Sequence, residues 1–505
     1  MSKAPSDSPT ASPIRPAPTT AKGIAKELGP GLIVAGAVVG SGELIATTAV
    51  GAEAGFWLLW LIILGCVIKV FVQVELGRYV ILTGNTTLRG VNSLPGFRIR
   101  GVHWIVWFWL AMFVTSTAQQ GGIVGGVGQA LSIAAPITEE GAAYNAAAEA
   151  RILQQLDAVV STEAVVPPDR VESATQPSSP GPDPYVWAII VSLLTSAILF
   201  WGRYGLIEKT VTILVAGFTV VTLVNLFLLQ SNPDWAVTSA EWARGFSFQV
   251  PPKVEGLNPI ATALATFGII GVAAGELVFY PYWCLEKGYA AHIGPREDSE
   301  AWRERARGWL RVLRWDAWAS MVVYTISTVG FYLLGASVLG RAGLHPEGMD
   351  MIRTLATMYE PVFNETAVTL FLIAAVVILY STFFVTNASK ARVFADALVI
   401  FGFRKSGTER DRNWIKLLSL AFPIVSVLIF LLFPKPKQLV LLAGMMQAFL
   451  LPMLAFAAIW FRYRHREKAL EPTLVWDVFL WISGLGLLLA GGWMAWSKIA
   501  PQLGG

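Results

Sequence analysis

Two apolar stretches of this chain each carry a glutamate beside glycine, and these residues are the best placed to do chemistry. Residues 40–45 read Gly-Ser-Gly-Glu-Leu-Ile, and residues 273–278 read Ala-Ala-Gly-Glu-Leu-Val. A charge at the centre of a bilayer costs about 2.5–3.5 kcal/mol on insertion scales and usually marks a substrate or ion pathway. Glycine weakens helices, and unwound backbone at membrane depth survives only where protein buries it or where it lines a cavity. The doubled pattern predicts two broken helices that meet at one binding site.

The two glutamates of these breaks, Glu43 and Glu276, predict a cation site. Two carboxylates that approach each other repel unless a cation or hydrogen-bond donors lie between them. Hard divalent cations take carboxylate, carbonyl and water oxygens as ligands. We therefore expect both glutamates to be metal ligands. The alternative is that each accepts hydrogen bonds from amides of its own broken helix, as acids do at helix N-termini. The backbone around the breaks completes the predicted substrate site, at Gly40, Ser41, Gly42, Ala273 and Gly275.

Three other polar side chains inside apolar stretches are candidates for the same pathway. Gln119 precedes a glycine-rich run in the third stretch, and Tyr280 follows the second break. We expect both to line the substrate site, although small residues also serve helix packing and a tyrosine also packs inside helix bundles. Lys69, in the second stretch, either extends its ammonium group to the membrane interface or pairs with an acid.

The composition predicts a membrane-embedded chain. Of its 505 residues, 54% are hydrophobic and 14% are charged, and the mean hydropathy is +0.57. Apolar stretches of about 20 residues, the length that crosses the hydrocarbon core, recur along the chain and predict an all-α integral membrane protein. We predict eleven spans, at residues 29–51, 55–79, 103–131, 185–202, 206–229, 259–285, 315–339, 366–386, 414–433, 438–461 and 474–497.

Basic residues are concentrated in alternate loops and orient these spans. Loops 287–314 and 390–416 are rich in lysine and arginine, whereas the loop 132–184 has only Arg151 and Arg170. Because basic loops stay on the cytoplasmic side, we predict a multi-pass cell-membrane protein with a cytoplasmic N-terminus and an extracytoplasmic C-terminus. Its net charge of +4 then reflects membrane orientation. The lipid bilayer is an expected partner, and nucleic acid is not.

The chain outside the spans divides into a tail and one insertion. Residues 1–22 are rich in Pro, Ser, Ala and Thr, which predicts a disordered cytoplasmic tail before a transporter domain over residues 23–499. The segment 132–184 is predicted to be an extracytoplasmic insertion. Within it, the Ala/Glu-rich residues 139–159 favour a helix, and the proline-rich residues 167–184 resemble a linker.

The sequence contains no arrangement typical of an enzyme. Cys66 and Cys284 lie inside spans and are interpreted as small buried hydrophobic residues. All four histidines lie at or near loops, and neither a phosphate-binding loop nor a nucleophile–base pair is evident. We expect neither enzymatic activity nor a cofactor.

Several short sequences resemble a known transporter family. The first span begins with Gly-Pro-Gly at residues 29–31, and the second reads Gly-Phe-Trp-Leu-Leu-Trp at 55–60 and Gln-Val-Glu-Leu-Gly-Arg at 73–78. Gly-Arg at 202–203 follows the fourth span. These sequences resemble the Nramp (natural resistance-associated macrophage protein) metal-transporter family, and the resemblance covers most of residues 27–497.

The resemblance implies a specific architecture. It is a leucine-transporter-type inverted-repeat bundle of 5+5 helices plus an eleventh helix, with spans 1 and 6 broken at mid-membrane. The two repeats would cover residues 27–229 and 259–461, and the extra helix residues 474–497. The doubled Gly-Glu-Leu, found without reference to the family, agrees with this architecture.

The chain departs from the family at its metal-binding positions. By the resemblance, Gly40 stands where the family has its metal-binding aspartate. Glu43 stands where the family has an asparagine, and Ala273 stands where it has a methionine. Gly444 stands where the family has a glutamine in helix ten. Since a thioether favours soft transition metals, these differences identify the chain as a divergent Nramp-related member that lacks the usual metal-binding residues.

Two functions remain open from the sequence. The first is a secondary transporter or facilitator that moves a hard, Mg²⁺-like divalent cation by alternating access. The second is a transporter of a small organic or amine solute on the same fold. In span three, Ser116 and Gln119 stand where the family has acidic proton-path residues, so we expect weakly coupled or uncoupled flux.

Overall fold

The apolar stretches form long helices, because in hydrocarbon only a helix or a closed barrel satisfies its own backbone hydrogen bonds. The structure is a computed structural model that describes residues 14–160, 179–201, 217, 219–252, 256–363, 366–405, 407–465, 467–470 and 473–503. The α-helices are α1 (Ala21–Glu27), α2 (Pro30–Val38), α3 (Thr48–Ala54), α4 (Leu59–Val67), α5 (Lys69–Thr83), α6 (Thr87–Asn92), α7 (Trp104–Ala134), α8 (Glu139–Val160), α9 (Asp183–Trp201), α10 (Thr219–Leu229), α11 (Ser239–Gly245), α12 (Pro259–Phe267), α13 (Ala274–Glu286), α14 (Tyr289–Ile293), α15 (Glu300–Leu334), α16 (Met351–Ala356), α17 (Glu360–Phe363), α18 (Ala367–Ile400), α19 (Thr408–Leu432), α20 (Pro436–Arg464) and α21 (Leu474–Leu503).

Short elements of other kinds complete the fold. Two π-helices, Ser41–Thr47 and Gly335–Leu339, continue α-helices within the bundle. Strands β1 (Arg98–Ile99) and β2 (Val102–His103) form a small antiparallel hairpin before α7. Short 3₁₀ turns lie at Gly348–Asp350, Thr357–Tyr359 and Lys468–Leu470.

The described helices agree with the predicted spans. By length and composition, eight helices of the described chain could each cross a membrane, and α7 with α8 forms a further bent pair at 91°. The sixth predicted span is the pair α12 and α13, each too short to cross alone. Most of the first half of the fifth predicted span, 206–229, lies outside the described residues, and α10 is its second half.

The first predicted break is short and leads into a π-helix. Helix α2 ends at Val38, and Gly40 adopts φ −152° and ψ −112° before the π-helix Ser41–Thr47 begins. The Thr47 hydroxyl donates to the Gly42 carbonyl 2.9 Å away, across the wider π turn. A β-carbon at Gly40 would collide with Thr382 of α18. Close packing therefore favours glycine at this position.

The second break is longer and fully unwound. Six residues, 268–273, separate α12 from α13, and Gly271 adopts φ +57°, which favours glycine. A β-carbon on Gly271 would also lie 3.0 Å from the α-carbon of Cys66. This break is therefore pressed against the span formed by α4 and α5.

The two breaks contact each other through their backbones. A β-carbon on Gly42 would lie 2.8 Å from the carbonyl oxygen of Ile269, so the two chains approach where both are interrupted. On the far side, Gly268 faces the backbone of Gly444 in α20, and Gly444 in turn faces the carbonyl of Ala265. Small residues allow this backbone contact between membrane helices. A glutamine at position 444, as the family has, would not fit.

The tail and the insertion pack onto the bundle where the structure describes them. Residues 1–13 of the predicted tail lie outside the described residues. The Arg15 side chain donates to Glu27 at 2.8 Å, and the Arg15 carbonyl accepts from Trp309. The segment from Ile14 is thus held against the helices. The predicted helix within the insertion is confirmed as α8, whereas residues 167–178, most of the linker-like part, lie outside the described residues.

Candidate functional site

A chain of hydrogen bonds joins the two broken helices through two glutamines. Gln119 of α7 donates to the Ser41 hydroxyl at 3.1 Å and accepts from Gln447 of α20 at 2.9 Å. Gln447 in turn accepts from the backbone amide of Gly275 at 3.0 Å. Ser41 and Gly275 lie immediately after the two breaks, so this chain fixes their separation. Three predicted site residues, Ser41, Gln119 and Gly275, are therefore brought together.

Glu43 is fully buried and turned toward the other break. Its Oε1 accepts from the Thr328 hydroxyl of α15 at 3.1 Å and from the amide of Gly271 at 3.4 Å. Its carboxylate also interacts with the amides of Gly40 and of Glu43 itself. The other oxygen, Oε2, is buried without a hydrogen-bond partner in the described part of the chain. A buried carboxylate oxygen without a donor is unfavourable unless a ligand completes it.

Glu276 lies at the N-terminal turn of α13 and is only partly buried. The one hydrogen bond that its carboxylate accepts in the described part of the chain comes from its own amide. Both glutamates thus partly satisfy the alternative interpretation, in which they accept from their own helix amides. Each keeps acceptor capacity beyond that, and their direct approach to each other stays a prediction.

A buried cationic side chain of the protein itself interacts with both glutamates. Lys69 of α5 is fully buried, and its ammonium group interacts electrostatically with both Glu43 and Glu276. It donates hydrogen bonds to the carbonyl oxygens of Phe267 and Ile270, the latter at 2.8 Å. The prediction that Lys69 extends to the interface is wrong, because the unwound helix offers unpaired carbonyls much closer by.

A second buried lysine lies close enough to interact with Glu276. Lys390 of α18, predicted to begin a basic loop, lies inside the helix and is fully buried. Its ammonium group donates to the Thr117 hydroxyl at 3.3 Å, stands 5.3 Å from the centre of the Phe113 ring, and interacts electrostatically with Glu276. In the described structure neither lysine forms a hydrogen bond or ion pair with either glutamate.

The backbone carbonyls predicted to bind substrate are already hydrogen-bonded within the protein. The carbonyls of Gly40 and Ala273 each accept a hydrogen bond from the helix that follows, from Leu44 at 2.8 Å and Leu277 at 2.9 Å. Because both helices restart at once, these oxygens are engaged and are not freed by unwinding. At the second break, Lys69 donates to the carbonyls of Phe267 and Ile270.

Tyr280 lies away from the glutamates, toward the predicted cytoplasmic side. Its hydroxyl donates to Asp316 at 3.1 Å, and Asp316 also accepts from the amides of Gly29 and Gly31 at 2.9 and 2.6 Å. The carboxylate thus caps the N-terminus of α2, a position where acids are favoured. Tyr280 links α13 to the beginning of α2, and the structure does not place it in the network that joins the two breaks.

Polar contacts also tie the broken helices together at the predicted outer end. Lys437 of α20 forms ion pairs with Glu53 of α3 at 2.8 Å and with Glu347 at 3.2 Å. Glu53 also accepts from the Thr262 hydroxyl of α12 at 2.7 Å. Together with the Asp316 contacts, this cluster provides polar links between the helices at both ends of the breaks.

Three residues around the breaks were missed from the sequence: Lys390, Gln447 and Thr328. Gln447 is a polar residue inside an otherwise apolar span, which is a usable signal. Lys390 was predicted to lie in a loop because the apolar stretch ends before it. The helix itself continues well past that stretch. Thr328 gave no signal, since threonine is common in membrane helices and needs no partner.

The two glutamates alone supply too few ligands for a metal ion. Amide or carbonyl oxygens or water would have to supply the others. In the described part of the chain, no group of three or more His, Cys, Asp or Glu side chains is arranged to hold a metal ion. The Cys66 thiol lies close enough to interact with Glu43. Amides, hydroxyls and the ammonium groups of Lys69 and Lys390 are further polar groups near the breaks.

Broken helices that meet at enclosed acids and amides define a multi-span membrane transporter rather than an enzyme. The family model for natural resistance-associated macrophage protein-like (Nramp) proteins matches residues 178–497, well over half of the chain. The chain therefore belongs to the Nramp family of metal-ion transporters.

Several solved structures share the fold of this chain at low sequence identity. Crystal structures of the Eremococcus coleocola manganese transporter superpose with a TM-score of 0.62; one has 14% identity and covers 98% of this chain and 92% of that chain. The same transporter bound to an aromatic bis-isothiourea compound gives 13% identity. Mhp1, a nucleobase-cation-symport-1 family transporter, gives a TM-score of 0.50 at 12% identity, with coverage of 97% and 96%. A comparison with curated proteins gives no match. The predicted inverted-repeat transporter fold, with its broken helices, is confirmed.

We predict that Gln447→Leu separates the two breaks. The substitution removes the acceptor of the Gly275 amide and the donor to Gln119, and a buried group left unpaired costs about 1–3 kcal/mol. Thermal unfolding in detergent should therefore occur at a lower temperature, and transport should fall. Gln438→Leu is the matched control, because Gln438 is exposed on the same helix. Equal effects of the two substitutions would show that the glutamine chain does not join the breaks.

Proposed function

We propose that the chain moves a hard, Mg²⁺-like divalent cation across the membrane by alternating access. The observation that carries this proposal is the Oε2 atom of Glu43, a buried carboxylate oxygen that has no hydrogen-bond donor among the residues the structure describes. The other oxygen of the same carboxylate accepts from the Gly271 amide of the second break. A divalent cation supplies the missing partner at the position where transporters of this architecture bind their substrates. Glu276, with spare acceptor capacity and partial exposure, provides the second carboxylate.

The two buried lysines make this site workable before the ion arrives. Two ammonium groups near two carboxylates keep the local charge balanced while the site is empty. They direct their hydrogens to the carbonyls of Phe267 and Ile270 and to the hydroxyl of Thr117. The carboxylate oxygens therefore remain available to a metal ion. The nearby positive charge also weakens its binding, which favours release over tight retention.

The donor types favour a hard cation over a soft one. Oxygen ligands suit Mg²⁺, Ca²⁺ and Mn²⁺, whereas thiolate and thioether ligands select softer ions. Ala273 stands where the family has methionine, and the thiol of Cys66 is a soft donor that interacts with Glu43. One sulfur beside several oxygens does not make a soft site.

Amide groups near the second break support a partly hydrated ion. Gln73 is fully buried, and neither atom of its amide has a partner in the described part of the chain. One face of α5 carries Lys69, Gln73 and Gly77. Lys69 binds the carbonyl of Ile270, and Gly77 lies against the Tyr280 ring. Gln73 therefore lies on the face of α5 from which Lys69 binds the second break. Mg²⁺ dehydrates reluctantly and keeps several waters, so amides at a distance suit its outer hydration.

Alternating access requires that the two ends of the broken helices open in turn. The Glu53–Lys437–Thr262 contacts close the predicted outer end, and the Asp316 contacts close the predicted inner end. We place the protein in the cell membrane with its N-terminus cytoplasmic and its C-terminus extracytoplasmic, on the distribution of basic residues.

A second candidate, transport of a small amine or other organic solute, is favoured by one observation. The carbonyls of Phe267 and Ile270 already bind a primary ammonium group, that of Lys69. A solute amine would bind such oxygens equally well if Lys69 moved away. Uptake assays with divalent cations and with amines, measured in the same vesicles, separate the two candidates.

We predict that Glu43→Gln and Glu276→Gln each lower divalent-cation flux in proteoliposomes by about tenfold or more, since 1.4 kcal/mol of lost binding corresponds to a factor of ten. Each substitution preserves size and removes the charge that the cation needs. Glu286→Gln is the matched control, because Glu286 lies on the same helix α13 but pairs with Arg392 at the surface. Undiminished flux in the doubly substituted protein would reject the site.

We predict poor discrimination in favour of manganese. Excess Mg²⁺ should inhibit Mn²⁺ uptake, because both ions would compete for the same oxygen ligands. Cys66→Ser should leave the order of preference unchanged, since sulfur is not expected to select the ion. The proposal fails if Mn²⁺ uptake is robust, is insensitive to excess Mg²⁺ or Ca²⁺, and collapses in Cys66→Ser.

A further inference from the structure

The ammonium group of Lys69 lies in a site built from the second break. Two of its three donors are directed at the carbonyl oxygens of Phe267, the last residue of α12, and of Ile270 in the unwound segment. The group also stands 4.8 Å from the centre of the Phe267 ring, within the range of a cation–π contact. The side chain is fully buried. Carbonyls, an aromatic face and enclosure together describe a cation-binding site.

The position of this site in the fold matters. The C-terminal end of a half-helix carries partial negative charge on its unpaired carbonyls. In transporters with discontinuous helices, such half-helix ends and unwound carbonyls coordinate the coupling ion. Helix α12 ends at Phe267, so its C-terminal end is this type of site. Here a side chain of the protein fills it.

We propose that Lys69 is a tethered cation that takes the place of a mobile monovalent ion at the second break. The proposal rests on the proposed transport function and adds to it the reason why no monovalent ion need accompany the substrate. A lysine ammonium is a compact point charge with three donors, which suits a small carbonyl site. Because it is covalently attached, it neither leaves with the substrate nor couples flux to a gradient of that ion.

The contacts of Lys390 show that burial alone does not account for this arrangement. Lys390 is equally buried, yet it donates to the hydroxyl of Thr117 and, within the described residues, bonds to no unwound backbone. Lys69 instead satisfies two carbonyls that the interruption of α12 leaves without helical partners. Its charge and its donors both act on the break, and they help to hold residues 268–273 in their unwound form.

The test uses a small amine that restores the missing part of the side chain. Lys69→Ala leaves only the β-carbon, and n-propylammonium has the size and charge of what is removed. We predict that n-propylammonium raises the thermal unfolding temperature of purified, full-length Lys69→Ala saturably, by several degrees. 1-Propanol, which has the same shape without the charge, should not.

Two comparison proteins make the result specific. Lys69→Met fills the space without charge, so it should be destabilised and should not respond to n-propylammonium, and the natural protein should not respond either. If Lys69→Ala does not fold alone, including n-propylammonium during purification should recover it. A Lys69→Ala protein as stable as the natural one, or one that the amine neither stabilises nor recovers, would overturn the proposal.

A flux measurement tests the consequence for coupling. Uptake of Mg²⁺ by the natural protein should be unchanged when Na⁺ is replaced by K⁺ or choline on both sides of the vesicle membrane. A requirement for Na⁺ or K⁺ would contradict a tethered cation. The unfolding measurements involve no divalent metal, so they give a result even if the chain proves to carry a different substrate.

Discussion

The structure depends on one constraint, which is that every backbone group freed by interrupting a membrane helix must find a partner without water. At the first break the chain meets this constraint by restarting at once as a π-helix, so that the Gly40 carbonyl is bonded again within four residues. At the second break it does so with side chains. Lys69 binds two carbonyls, Glu43 accepts from the amide of Gly271, and Gln447 accepts from that of Gly275.

These partners come from different helices, which is why the breaks also organise the bundle. The amide of Gly275 reaches Ser41 only through α20 and α7, and the carboxylate of Glu43 touches both the second break and α15. Glycines allow the backbones to approach closely enough for these bonds, as Gly42 does beside Ile269. Movement of one broken helix during transport must therefore change the partners of the other. Coupling between the two halves follows from shared hydrogen bonds rather than from a single hinge.

Much of the fold could be predicted because its signals are local. Apolar stretches, repeated Gly-Glu-Leu and basic loops each depend on residues close together in sequence, and they identified the spans and both breaks. The partners inside the site could not be predicted in the same way. Which carbonyls remain unpaired depends on where a helix restarts, and the sequence did not show that Gly40 and Ala273 would be engaged at once. Nor could it show that Lys69 turns inward, because a buried lysine is stable only beside oxygens that the fold brings from elsewhere.

The central claim is that the carboxylates of Glu43 and Glu276 hold the transported ion while Lys69 keeps the backbone carbonyls. An experimentally determined structure of the protein with bound divalent cation tests it most directly, with Mn²⁺ used to locate the ion by anomalous scattering. We predict an ion directly bonded to at least one of these two carboxylates, at about 2.0–2.6 Å for hard divalent cations, with the Lys69 ammonium still on Phe267 and Ile270. An ion bound elsewhere in the bundle, with both carboxylates uninvolved, would contradict the account.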